Sequence, residues 1–255
     1  MSLGHGNYIK PAISPDGRLL FVTTEGGVGA WELGSGRELG LFSESRFLDM
    51  DPSGSLLTSF PGTWRWPIRK DAEVSGRIHL GPPERLSLES GDIAVSRDGT
   101  VVAVSQSGGA LLVKGGIPEQ RVVVSPHADC RYVAVSPDGR FIATGSHYYA
   151  GVKIWDAQNG KLVKELLTDE AWIRPVFSPD GQWLLTNQSN KHASRLWRVG
   201  TWKEGPDTGE GGFGSAFSPD SKTLAIGTTR GVRLVSVSSG TELTTLEDPQ
   251  EDRPE

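Results

Sequence analysis

A four-residue turn recurs six times along the chain at nearly constant spacing, and this recurrence constrains the fold more than any other feature. The copies are Ser14-Pro15-Asp16-Gly17, Asp51-Pro52-Ser53-Gly54, Ser96-Arg97-Asp98-Gly99, Ser136-Pro137-Asp138-Gly139, Ser178-Pro179-Asp180-Gly181 and Ser218-Pro219-Asp220-Ser221. Counted from the second residue of each, the intervals are 37, 45, 40, 42 and 40 residues. Proline presets φ for a tight turn, aspartate accepts hydrogen bonds from the amides that follow, and glycine absorbs a positive φ. Each copy is therefore a hairpin corner between two short apolar runs, such as Tyr132 to Val135 and Phe141 to Ala143.

A third run follows each corner at matched distance: Ala30-Trp31, Arg65-Trp66, Leu112-Val113, Ile154-Trp155, Leu196-Trp197 and Leu234-Val235. Trp at one register in four of six copies suits a large flat side chain wedged between neighbouring sheets, and the two Val copies are expected to pack less tightly. A polar or Gly-containing turn then leads to a last strand, clearest at Leu162 to Leu166 and Glu242 to Leu246. Six units of about 40 residues with four antiparallel strands each predict an all-β chain, a β-propeller of six four-stranded blades.

Gly151-Val152-Lys153-Ile154-Trp155-Asp156, preceded by Ser136-Pro137-Asp138-Gly139, resembles the WD40 repeat, and the looser copies carry the likeness over roughly residues 3 to 246. Leu3-Gly4-His5 resembles the Gly-His start of such repeats, and His127 stands ten residues before its Pro, as His5 does. The resemblance implies turn-anchoring roles for these two histidines. The family pattern also has an Asp between the second and third strands, which the segments 25–29 and 147–151 lack. WD40 rings usually hold about seven blades and close by mixing terminal strands in one blade. Here each blade is completed by its own sequence, so six blades can close a ring by sheet packing, or form an incomplete ring in a longer chain.

Residues 1–246 are read as the propeller and 247–255 as an acidic disordered tail, since Glu247, Asp248, Glu251, Asp252 and Glu255 against Arg253 give −4 of the net −5. The remaining −1 leaves the body without the basic face of a nucleic-acid binder. No apolar run reaches membrane-spanning length and no signal segment opens the chain, so neither nucleic acid nor membrane is expected and a cytoplasmic location is. Cys130 is the single cysteine and the five histidines are scattered, so no metal or other cofactor is expected.

No Gly-x-Ser-x-Gly elbow or His-Glu-x-x-His pair is present, and the Gly-rich segments 26–29 and 209–214 do not open a helix as a phosphate cradle does. Propeller enzymes gather carboxylates and histidines at the channel mouth, and here the acids for that place are Asp49 and Asp92. Asp49 replaces the small Ala12, Ala94, Ala134 and Ala216 of sister strands, which predicts a buried acid paired with Arg46 or Lys10. No catalytic residue is assigned.

What remains is a loop face rich in the residue types that dominate binding interfaces: Arg46, Trp64, Arg131, Tyr148, Tyr149, Trp172, Arg174, Lys191, His192 and Phe213. Trp172 and Phe213 can equally be apolar plugs that start their strands. The fourth and fifth copies place 18 residues between the corner Pro and the Trp, against 16 and 14 in the first two, so 147–149 and 190–192 are expected to leave the ladder as neighbouring loops. The reading is a non-catalytic scaffold with a protein or peptide partner, docked over blades four and five. The alternatives are a propeller enzyme of lactonase or hydrolase type, and a regulatory or sensor domain of a larger protein such as a kinase.

Overall fold

The computed structural model describes residues 11–24, 26–42, 47–59, 61–71, 77–115, 120–148, 150–168, 170–188, 193–211, 214–229 and 231–247. Among them the structure is all strand and turn, in six four-stranded antiparallel sheets arranged as a six-bladed propeller. Blade 4 shows the pattern most fully, with strands Cys130–Val135, Phe141–Ser146, Val152–Asp156 and Leu162–Leu166 paired in sequence order. Blade 1 runs from Ala12–Ile13 to Glu38–Phe42, blade 3 from Ile93–Val95 to Gln120–Val124, blade 5 from Ile173–Phe177 to Lys203–Glu210, and blade 6 from Ser215–Phe217 to Glu242–Glu247.

The corners form as their residue types dictate, with serine adding a role the sequence does not advertise. In blade 4 the Ser136 hydroxyl donates to Asp138 Oδ1 at 2.6 Å and accepts the Phe141 N–H at 2.8 Å, while Asp138 Oδ1 accepts the Arg140 N–H at 3.0 Å. The same set recurs at Ser14, Ser96, Ser178 and Ser218. These bonds favour the ionised acid, and they hold the Asp98 and Asp220 carboxyls below the usual carboxylate range, the serine hydroxyl being the largest cause in each. Gly139 takes φ of 69° at this corner, and in the sixth copy Ser221 is held at φ of 60° without glycine's freedom.

The register of the third strands matches the reading residue for residue. Leu20 faces Trp31, Leu56 faces Trp66, Val102 faces Val113, Ile142 faces Trp155, Leu184 faces Trp197 and Leu224 faces Val235. The two valines are not loosely packed as expected: both are as buried as Trp155, because neighbouring aliphatic side chains close over them. Five apolar clusters fill the seams between successive blades, from blades 1 and 2 through blades 5 and 6. At the seam of blades 4 and 5, Phe141, Ile154 and Leu166 meet Ile173, Leu184 and Trp197.

Blade 2 departs from the simple meander. Its third strand, Thr63–Trp66, pairs with Glu84–Ser87, and between the two a separate hairpin of Ile68–Lys70 with Ile78–Leu80 is inserted. Pro67 has no N–H to continue the ladder, so the chain leaves the sheet there, and Gly81 N–H returns to the Pro67 carbonyl at 2.9 Å to close the insert. This accounts for the 45-residue interval.

Candidate partner-binding site

Three loops meet where blades 4 and 5 adjoin: the entry to blade 4 around Asp129, the corner after its second strand that holds His147, Tyr148 and Gly151, and the connection into blade 5 through Leu167, Glu170 and Trp172. Main-chain bonds tie them together. His147 N–H donates to the Asp129 carbonyl at 3.1 Å, Trp172 N–H to the His147 carbonyl at 3.2 Å, and Gly151 N–H to the Glu170 carbonyl at 3.0 Å. Three non-glycine residues in these loops, Asp129, Leu167 and Trp172, have φ of 49°, 53° and 60°. Left-handed backbone at a bulky tryptophan costs energy and persists where the surroundings over-determine it, a pattern common at binding sites.

The result is an aromatic stack with His147 at its centre. Its ring lies 4.0 Å from Trp172, tilted by 36°, and 4.5 Å from Tyr148, edge to face. Trp172 remains 39% exposed and Tyr148 56% exposed, so the stack is supported from beneath and open above. Nδ1 of His147 stands 3.8 Å from Asp129 Oδ2, beyond hydrogen-bond reach, and neither atom finds another partner among the described residues.

Of the residues proposed from sequence, Arg131, Tyr148, Trp172 and Arg174 gather here. Both arginines carry carboxylate partners: Arg131 Nε donates to Asp129 Oδ1 at 3.0 Å, and an Arg174 guanidinium nitrogen lies 3.6 Å from the buried Asp92. That guanidinium also covers the Tyr132 ring at 5.5 Å. Asp92 Oδ2 in turn accepts the Val133 N–H at 3.2 Å, which couples blade 3 to blade 4. The patch is thus aromatic first and nearly charge-balanced. Trp64 stands apart in blade 2, where its Nε1 donates to the Pro61 carbonyl at 2.6 Å and Arg85 covers its ring. Arg46, Tyr149, Lys191, His192 and Phe213 lie outside the described residues, as does Lys10. Asp49 is half-buried rather than buried, and its Oδ1 accepts the Met50 N–H at 2.9 Å.

His127, by contrast, is a structural residue. It is fully buried, with Nδ1 2.6 Å from the Thr144 hydroxyl and Nε2 3.1 Å from the Ala150 carbonyl, and Trp155 Nε1 donates to the same hydroxyl at 2.8 Å. The Ala150 carbonyl does the work of the Asp that the family pattern would supply between these strands. Burial lowers the His127 pKa to about 4, the hydrogen bond to Ala150 opposing it. The Cys130 thiol is pushed up to about 12, first by burial and then by the Asp92 carboxylate, so the lone thiol is unreactive in the folded chain.

The model of the WD domain, G-beta repeat, matches residues 119–156, which hold the His127, Thr144 and Trp155 network. These residues are a WD40 repeat. The nuclear distribution protein PAC1 of Arthroderma benhamiae and that of Trichophyton verrucosum are each 40% identical to this chain over 62 residues, which are 24% of it and 13% of the relative. A chain of Kuenenia stuttgartiensis hydrazine synthase superposes with a TM-score of 0.65 at 17% identity, over 89% of this chain and 76% of that one. That likeness is one of fold. A WD40 propeller supports a role of the protein-interaction kind, and the repeat family is generally non-catalytic. Among the described residues no helix is long and apolar enough to cross a membrane.

Proposed function

We propose that this WD40 chain is a non-catalytic scaffold that holds a protein or peptide partner over blades 4 and 5. The observation that carries the reading is the His147 stack, on which Tyr148 and Trp172 are left exposed by loops that are themselves fixed by main-chain bonds. A preordered aromatic pair binds without the entropy cost of ordering long side chains, and aromatic residues dominate binding energy at interfaces. Because Arg131 and Arg174 are matched by Asp129 and Asp92, contact with aromatic or apolar side chains of the partner carries most of the affinity, with acidic residues steering at the rim. Tyr149, Lys191 and His192 belong to the same proposed surface by their place in the sequence, and Arg46 and Trp64 to its more distant part.

The test is a pair of variants against a partner obtained by affinity capture. Tyr148→Ala with Trp172→Ala is expected to weaken binding by at least about 2 kcal/mol, the scale of two interface aromatics. Trp64→Ala is expected to change it by less than about 0.5 kcal/mol. Retention of full affinity by the double variant would move the interface elsewhere.

A further inference from the structure

Asp129 and His147 are brought side by side by their backbones rather than by their side chains. Asp129 stands at the entry to blade 4 with φ of 49°, a conformation that aspartate tolerates better than most residues. His147 follows the strand Phe141–Ser146; its N–H donates to the Asp129 carbonyl and its own carbonyl accepts the Trp172 N–H. One residue therefore joins the entry of blade 4 to the connection into blade 5.

The side chains of the pair are left incomplete. His147 Nδ1 and Asp129 Oδ2 are both buried, lie 3.8 Å apart, and have no hydrogen-bond partner among the described residues. A neutral imidazole does not mend this in place. With Nδ1 bare, its lone pair faces a carboxylate oxygen; with the proton on Nδ1, the donor is about 1 Å too far from its acceptor. One added proton completes both atoms at once, because an imidazolium donates from each nitrogen and a charge-assisted bond to a carboxylate closes to about 2.8 Å. The His147 side chain is 13% exposed, so a proton reaches it from solvent.

We propose that proton uptake by His147 is a switch on the aromatic patch: the imidazolium closes onto Asp129 Oδ2, clamps the three loops together and fixes Tyr148 and Trp172 in one pose, so that the partner binds more tightly as pH falls from 8 to 6. The effect on binding rests on the patch being the partner site. The groups around the ring fit a cation. From the entry come the Asp129 carboxylate, whose Oδ1 already accepts Arg131 Nε at 3.0 Å, and the Cys130 thiol, kept neutral by burial. From the connection, Trp172 lays its ring at 4.0 Å, and Glu170 lies 3.6 Å from an Arg195 guanidinium nitrogen. From its own corner, Tyr148 stands edge to face at 4.5 Å. Burial opposes the charge, and the carboxylate and the indole face offset that opposition. The gain is present where the imidazolium forms and is lost as pH rises, and by linkage the partner binds with uptake of a proton. His127, the other histidine of blade 4, is held at about 4 by burial and stays neutral between pH 8 and 6.

The test has one arm without a partner and one with it. In the free chain, NMR follows the His147 ring, assigned by its loss in His147→Gln, and the Trp172 indole N–H, assigned by its loss in Trp172→Phe. Both are expected to move together between pH 8 and 6, and Asp129→Asn, which keeps a residue that tolerates left-handed backbone, is expected to still the indole. With the captured partner, Kd is expected to fall at least about fivefold from pH 8 to pH 6, with a binding heat that depends on the buffer's own ionisation, and Asp129→Asn is expected to remove both effects. An indole signal that stays still in the natural chain overturns the switch wherever the partner docks, since that arm uses no partner. Affinity that is flat with pH in a chain whose Tyr148→Ala with Trp172→Ala variant no longer binds also overturns it, while leaving the patch as the partner site. A pH dependence that survives Asp129→Asn would assign the proton to another group.

Discussion

Trp155→Ala is expected to cost about 3–5 kcal/mol of folding stability, the scale for deleting a core aromatic. The side chain is enclosed at the seam of blades 3 and 4, against Val101, Ala103, Leu112, Val124, Val133 and Ile142, so its loss leaves a cavity that two rigid sheets cannot collapse. It also removes a donor to Thr144 Oγ1, which His127 shares, and a buried polar group left with fewer partners adds to the penalty. Chemical denaturation of the purified variant measures this. A loss below about 1 kcal/mol would contradict the seam as described.

Mild acid is expected to destabilise the native chain through His127. An unfolded histidine titrates near 6.5, whereas burial lowers the folded value to about 4. Between these values the unfolded chain holds a proton that the native chain does not, so stability rises with pH across the window and is lost as pH falls. The full stabilisation is present above about pH 6.5, and at pH 4 the loss from this residue reaches about 3 kcal/mol. The corner carboxylates Asp98 and Asp220 are held below their ordinary range, so their part of acid unfolding begins lower, near and below pH 4. His127→Gln is expected to flatten the slope between pH 6.5 and 4, even though the variant starts from lower stability. An unchanged slope would mean that another group titrates.

Much of the fold is legible because each blade is built from local chemistry repeated six times. A Ser-Pro-Asp-Gly corner specifies its own bonds within five residues, and the fixed distance to Trp31, Trp66, Trp155 and Trp197 sets the register of the third strand. The inserted hairpin of blade 2 was marked only by the 45-residue interval and Pro67, since strand pairing across an insertion is a long-range choice. The site was half legible. Tyr148, Trp172 and the arginines are the right residue types in long loops, but Asp129 and His147 matter only because three loops meet, and no sequence spacing reports that meeting. Asp49 shows the converse: alignment with four alanines suggests enclosure, while the structure leaves the residue half-buried.

Hydrogen–deuterium exchange of the chain with and without the captured partner tests most directly whether blades 4 and 5 hold that partner. Slowed exchange is expected at 146–148 and 170–174, with the inserted hairpin around Ile68–Lys70 and the corner at Gly17 unchanged. Protection confined to blade 2, or to the opposite face at the Ser-Pro-Asp-Gly corners, with 146–148 and 170–174 exchanging as in the free chain, would contradict it.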